Sequence, residues 1–191
     1  MLGMRAKSLA LSTLLGGLVA FAWTTFSWNI LDWHDATLNA FENDEDVVAA
    51  IKRNAASDGI YVLPSGEDDR SDGAAALQAI RKGPLVFAAV RMGGFGSIAA
   101  AAAAQLGSFL VAAFLISLLL AQMKPMGYAQ RVIAVASVGL VAGLVSELPY
   151  WNWWGFPAAY TLVNIADLVL TWILSGAIMS LVMKQPEQRE T

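Results

Sequence analysis

Cysteine is absent from this 191-residue chain, and histidine occurs once. The first absence excludes disulfides, thiolate zinc sites, iron–sulfur ligation and thiol catalysis. A lone histidine cannot by itself make a strong zinc or copper site. Charge is scarce as well: 14 % of residues are Asp, Glu, Lys or Arg, against about 25 % in an average soluble domain. No Asn-x-Ser/Thr sequon occurs, which is consistent with a bacterial chain. There is no Gly-rich phosphate loop, no G-x-S-x-G elbow, no H-E-x-x-H pair and no dinucleotide fingerprint. No basic patch of the kind that tracks nucleic acid is found either. No catalytic residue, metal or cofactor is therefore assigned, and the reading leans away from an enzyme.

What is abundant is apolar sequence. Four stretches, 8–28, 97–122, 129–148 and 158–183, are too apolar for a soluble protein. A bilayer core about 30 Å thick takes about 20 helical residues to cross. Backbone groups inside lipid must bond to one another, so each stretch is expected to be a helix. The expected fold is an all-α integral membrane protein, a four-helix transmembrane bundle.

The few charges sort by side. Arg5 and Lys7 precede the first span, Lys124 and Arg131 flank the turn between the second and third, and Lys184 and Arg189 follow the fourth. Residues 29–96 carry eleven acids and six bases, and 149–157 carry no charge. Short basic loops stay in the cytoplasm. Both termini are thus expected inside a bacterial inner membrane, with 29–96 in the periplasm. Cleavage of 1–22 as a secretory leader, at Ala20-Phe21-Ala22, is the competing reading. Against it, apolar character continues through Trp28, and Ser8, Ser12, Gly16 and Ala20 form a four-residue stripe of small side chains. Such a stripe suits close helix packing in lipid, which a discarded leader does not need.

The chain therefore divides into a signal-anchor span (1–28), an outer cap (29–96), spans two to four (97–183) and a cytoplasmic tail (184–191). Within the cap, Asn43 is placed to cap a helix with Glu45 and Asp46 in its first turn. Ile60–Leu63 and Leu85–Val90 read as strands, and Ala74–Lys82 as a second helix. Together they make a small α+β insertion that leans on the membrane helices for its core. Ser65–Gly73 reads as a mobile acidic loop. It fails the calcium-loop pattern, because Arg70 stands at the third position.

Three groups of residues are candidates for function. Asp167 lies nine residues into the last span, roughly 14 Å deep at the helical rise. An acid at such depth is costly, so it must face the bundle interior or a wet cavity. Asn164, Asp167, Thr171 and Ser175 share one helix face. Glu147 follows Gly139 and Gly143 at four-residue steps, which places it beside a helix–helix seam. It is a candidate fourth member of an intramembrane polar site with Asp167, Asn164 and Thr171.

The second group is aromatic. Six of the seven tryptophans fall near the outer boundary, as an interfacial belt requires. The run from Pro149 to Pro157 is read as a stiff loop, and Trp151, Asn152, Trp153 and Trp154 as a platform for a ligand or partner. Trp33 and His34 are grouped with it by depth, His34 as a surface or interfacial side chain. The third group, Ser8, Ser12, Gly16, Gly139 and Gly143, is assigned to helix packing.

Three functions fit this inventory. The foremost is a non-enzymatic interaction, assembly or sensing subunit of a membrane complex. A small transporter or proton-conducting oligomer using Asp167 is the second, and an enzyme or redox protein binding quinone or lipid at the tryptophan platform the third. The expected partners are the lipid bilayer and either another membrane protein or further copies of this chain, with no nucleic acid.

Overall fold

The computed structural model describes residues 2–65 and 73–183. The acidic stretch at 66–72 and the tail at 184–191 lie outside the described residues, with Met1. Four long helices dominate: α1 (Leu2–Ile30), α4 (Ile98–Gln122), α5 (Tyr128–Trp154) and α6 (Ala158–Val182). Between α1 and α4 lie α2 (Asp44–Asn54), β1 (Gly59–Leu63), α3 (Gly73–Lys82) and β2 (Val86–Val90).

All four long helices have the length and composition to cross a membrane. The distribution of side chains agrees. Leu14, Val111, Ile133, Val145, Leu162 and Leu181 face outward, while Ser12, Ser117, Thr171, Ser175 and Ser180 are buried. Apolar groups outside and hydroxyls inside suit a hydrocarbon solvent, in which lipid replaces water around the bundle. The chain is thus built as a multi-pass membrane protein.

The helices pack in the order α4, α1, α6, α5, so that α1 and α6 form the middle of the bundle. Small residues decide how closely they approach. On α5, a Cβ on Gly139 would stand 2.9 Å from Trp172 Cβ, and one on Gly143 3.3 Å from Ile165 Cα. Gly176 answers from α6, where a Cβ would stand 2.8 Å from Val135 Cβ. On α1, Ser12, Gly16 and Ala20 are buried and Ser8 half-buried. Ser12 and Ser117 share a buried hydrogen bond of 2.9 Å between α1 and α4. The apolar core between these seams contains Ala20, Phe109, Ala113, Ile116, Leu120, Val135, Trp172 and Met179.

The insertion is a two-stranded hairpin with two short helices. β1 and β2 pair antiparallel, from Gly59 opposite Val90 to Leu63 opposite Val86. Asn43 caps α2 through its side chain, which accepts the Asp46 N–H at 3.1 Å. The hairpin meets the bundle through Phe87, whose ring lies 4.7 Å from Trp154 and 5.8 Å from Tyr150.

One expected element is different. The run after Pro149 is not a loop: α5 continues through Pro149 to Trp154. Proline removes one backbone donor and crowds the carbonyl four residues back, yet the helix runs on through it. The stop comes at Gly155, left-handed at φ 71°, where the Phe156 N–H closes onto the Tyr150 carbonyl at 3.2 Å. Pro157 follows in extended geometry, at φ −59° and ψ 141°, and stands at the N-cap of α6.

Candidate functional site

Asp167 is 6 % exposed, on the face of α6 that meets α1. One carboxylate oxygen, Oδ1, accepts the Trp23 indole N–H at 2.8 Å. The other, Oδ2, stands 3.4 Å from His34 Nε2. Trp23 comes from α1, and His34 from the turn that follows it. Beyond Ile30 the chain folds back, stabilised by Ala36 N–H to Asp32 carbonyl and by Thr37 Oγ1 donating to the His34 carbonyl at 2.8 Å. This return carries His34 alongside Ser27, one helical turn before the end of α1.

His34 is fully buried. The expectation of a surface or interfacial histidine is therefore corrected. Its ring lies parallel to Trp28 at a centroid distance of 3.8 Å, with the Trp33 ring edge-on at 5.4 Å. Two indoles remove the imidazole from solvent, and the buried carboxylate gives its polar edge a partner. The Ser27 hydroxyl lies 3.3 Å from His34 Nε2 and accepts the Trp33 indole N–H at 2.9 Å. A carboxylate requires a donor opposite it, so we place the ring proton on Nε2, shared between Asp167 and Ser27. Nδ1 has no partner among the described residues.

Serine, histidine and aspartate together suggest a nucleophilic triad, but the geometry is different. In a triad the serine and the acid bond opposite ring nitrogens, so the ring passes a proton between them. Here both bond Nε2. The Ser27 hydroxyl faces the same proton as Asp167 and is not opposed to a basic nitrogen. What the arrangement does is hold. It ties the entry of the insertion to the middle of α6 through a buried polar contact, with three indoles around it.

The other expected residues are placed as follows. Asn164 donates to the Tyr160 carbonyl at 2.8 Å, and Thr171 to the Asp167 carbonyl at 2.8 Å. Both serve α6 itself and bond no atom of the Asp167 carboxylate among the described residues. Glu147, half-buried, accepts from Ser146 Oγ at 3.2 Å and is not joined to Asp167 or His34. Trp151, Asn152, Trp153 and Trp154 lie in the last turn of α5, with Trp153 76 % exposed. Trp154 packs against Phe87, whereas Trp33 and His34 pack against Trp28, Ser27 and Asp167. The aromatic platform and the histidine thus form two separate groups.

The sequence places Trp23 and Trp28 only in the aromatic belt and gives Ser27 no role. A signal for two of them is present: Gly16, Ala20, Trp23 and Ser27 follow helical spacing, so the small-residue stripe extends to the Asp167 contact. Among the described residues no cluster of three or more His, Asp or Glu side chains is arranged to hold a metal. Comparison with protein-family models, curated proteins and solved structures gave no match.

Proposed function

We propose that this chain is a sensing subunit of a membrane complex, in which the outer insertion and the helix bundle are coupled through His34 and Asp167. The observation that supports this reading is the fully buried imidazole 3.4 Å from an intramembrane carboxylate. An acid within a span is costly to keep. Holding it against the segment that leads into the insertion makes the position of that segment depend on α6, and the reverse. Such a contact is a two-position element: seated, or withdrawn with the carboxylate exposed to water. A partner that binds the insertion would shift this balance only by preferring one position.

The test uses gently extracted protein and native mass spectrometry. A stoichiometric protein partner is expected with the wild type, and its loss with His34→Ala when equal amounts of folded protein are compared. A partner that stays bound to His34→Ala would end the coupling reading, as would a bare homo-oligomer.

A proton-conducting oligomer is the second reading. It is favoured by buried hydroxyls with no hydrogen-bond partner among the described residues, at Thr13, Ser175 and Ser180. Unpartnered buried hydroxyls suit bound water. Proton flux into proteoliposomes that disappears with Asp167→Asn would establish it in place of the sensing role.

A further inference from the structure

A polar side chain within α4 faces outward, away from the bundle. Gln105 lies roughly 10 Å from the start of the helix at 1.5 Å per residue. A crossing takes about 20 residues, so the span counted back from Leu120 includes Gln105. Its side chain is exposed and makes no hydrogen bond among the described residues. Ser108, nearly one turn on, is also exposed, but its hydroxyl donates to the Ala104 carbonyl at 3.0 Å. A carboxamide turned toward hydrocarbon without a partner is costly. α4 stands at one end of the row of helices and packs mainly on α1, which leaves its outer face open.

The exposed residues around Gln105 follow a seam. Ala101, Ser108 and Leu115 recur every seven residues, and Ile98, Gln105 and Leu119 take the alternate positions of the same repeat. All six are exposed. Such alternating steps of three and four mark the face of a helix that packs along another helix. Ala101 and Ser108, on either side of Gln105, are small and let a second backbone come close. We propose that this face of α4 joins the chain to a second copy of itself, with Gln105 bonded to Gln105 of the copy across a two-fold axis. A two-fold contact must be self-complementary. A carboxamide is so, because it carries both a donor and an acceptor and two of them satisfy each other. The basic residues gathered at one end of the bundle favour a single orientation in the bilayer for every copy. The two α4 helices then run parallel, and equal positions of the seam meet. The inference rests on α4 and is separate from the sensing reading, which concerns α1, α6 and the insertion.

The experiment is oxidative cross-linking of the full chain in its own membrane, followed by dimerisation measured in liposomes. The chain has no cysteine, so an introduced one reports without background. Ala101→Cys and Ser108→Cys should each give a disulfide-linked dimer. Val145→Cys, on the outward face of α5 and 71 % exposed, should not. In liposomes Gln105→Leu should weaken dimerisation about three- to thirtyfold, the range of hydrogen bonds between membrane helices. Gln105→Asn, which keeps the amide on a shorter stem, should fall between. The Gln105 side chain is exposed, so neither variant disturbs packing within one chain. Cross-linking at Val145 equal to that at Ala101 and Ser108 overturns the proposal, as does none at either seam position. Unchanged dimerisation of Gln105→Leu overturns it too. A different protein captured by the cysteine at 101 would assign the face to that partner and overturn pairing with a second copy.

Discussion

Trp23 and His34 approach Asp167 from the same side of α6 and divide its carboxylate between them, Trp23 on Oδ1 at 2.8 Å and His34 on Oδ2 at 3.4 Å. Both oxygens are thus occupied by groups from α1 and the turn after it. The acid is a tether between chain regions far apart in sequence, and its removal has two distinct costs.

Asp167→Ala leaves the Trp23 and His34 nitrogens without their acceptor. Each buried donor left without an acceptor costs about 1–3 kcal/mol, and here there are two. Asp167→Asn keeps an oxygen for Trp23 but sets its amide nitrogen, a donor, against the His34 Nε2–H, so one of the two contacts is lost at a cost of about 1–3 kcal/mol. Thermal unfolding in detergent should rank wild type, Asn, then Ala. Equal midpoints for the three would show that the tether carries no stability.

The glycine seam between α5 and α6 predicts a graded series. Alanine at Gly139 or Gly176 places a methyl within 3 Å of Trp172 or Val135, against 3.3 Å for Gly143. Overpacking of this kind costs about 1–3 kcal/mol, with Gly143→Ala at the low end. Gly107, in α4, has nothing within 4 Å of an added Cβ, so Gly107→Ala should be neutral or stabilising by up to about 1 kcal/mol. The same unfolding assay reads all four, and an inverted order would contradict the packing described.

Ser12 and Ser117 bond across α1 and α4 at 2.9 Å. A double-mutant cycle with alanine at each should give a coupling of about 0.6 kcal/mol, the usual scale for hydrogen bonds between membrane helices. A coupling of zero would mean that each hydroxyl finds another partner when the first is removed.

Phe87 fixes the hairpin on the end of α5. Phe87→Ala should raise amide hydrogen exchange across β1 and β2 while leaving α4 to α6 unchanged, because a two-stranded hairpin alone is marginal in water. If exchange in the strands does not change, the hairpin is held by other contacts, such as the Asp58 carboxylate accepting the Met92 N–H at 2.8 Å.

The sequence by itself determined the four long helices. Lipid cannot hydrogen-bond a backbone, so length and apolarity suffice to specify a spanning helix. It also determined the cap of α2 at Asn43, the hairpin strands and the Gly139–Gly143 seam, because each is a matter of neighbours within a few residues or of side-chain size. Asp167 was legible for the same reason: an acid in an apolar run must have a buried use.

Tertiary structure alone decided what the acid meets. His34 stands between Asp32 and Asp35 in a polar stretch, and local pattern reads it as exposed. Its burial depends on the chain reversing after Ile30 and on a carboxylate far away in sequence, neither of which has a local signature. The tryptophans show the same division. Their position near one boundary fits an interfacial belt, which hides that Trp23 donates to Asp167 while Trp153 is exposed. Composition sets how deep a residue lies along a helix, and only packing sets which way it faces and what it touches.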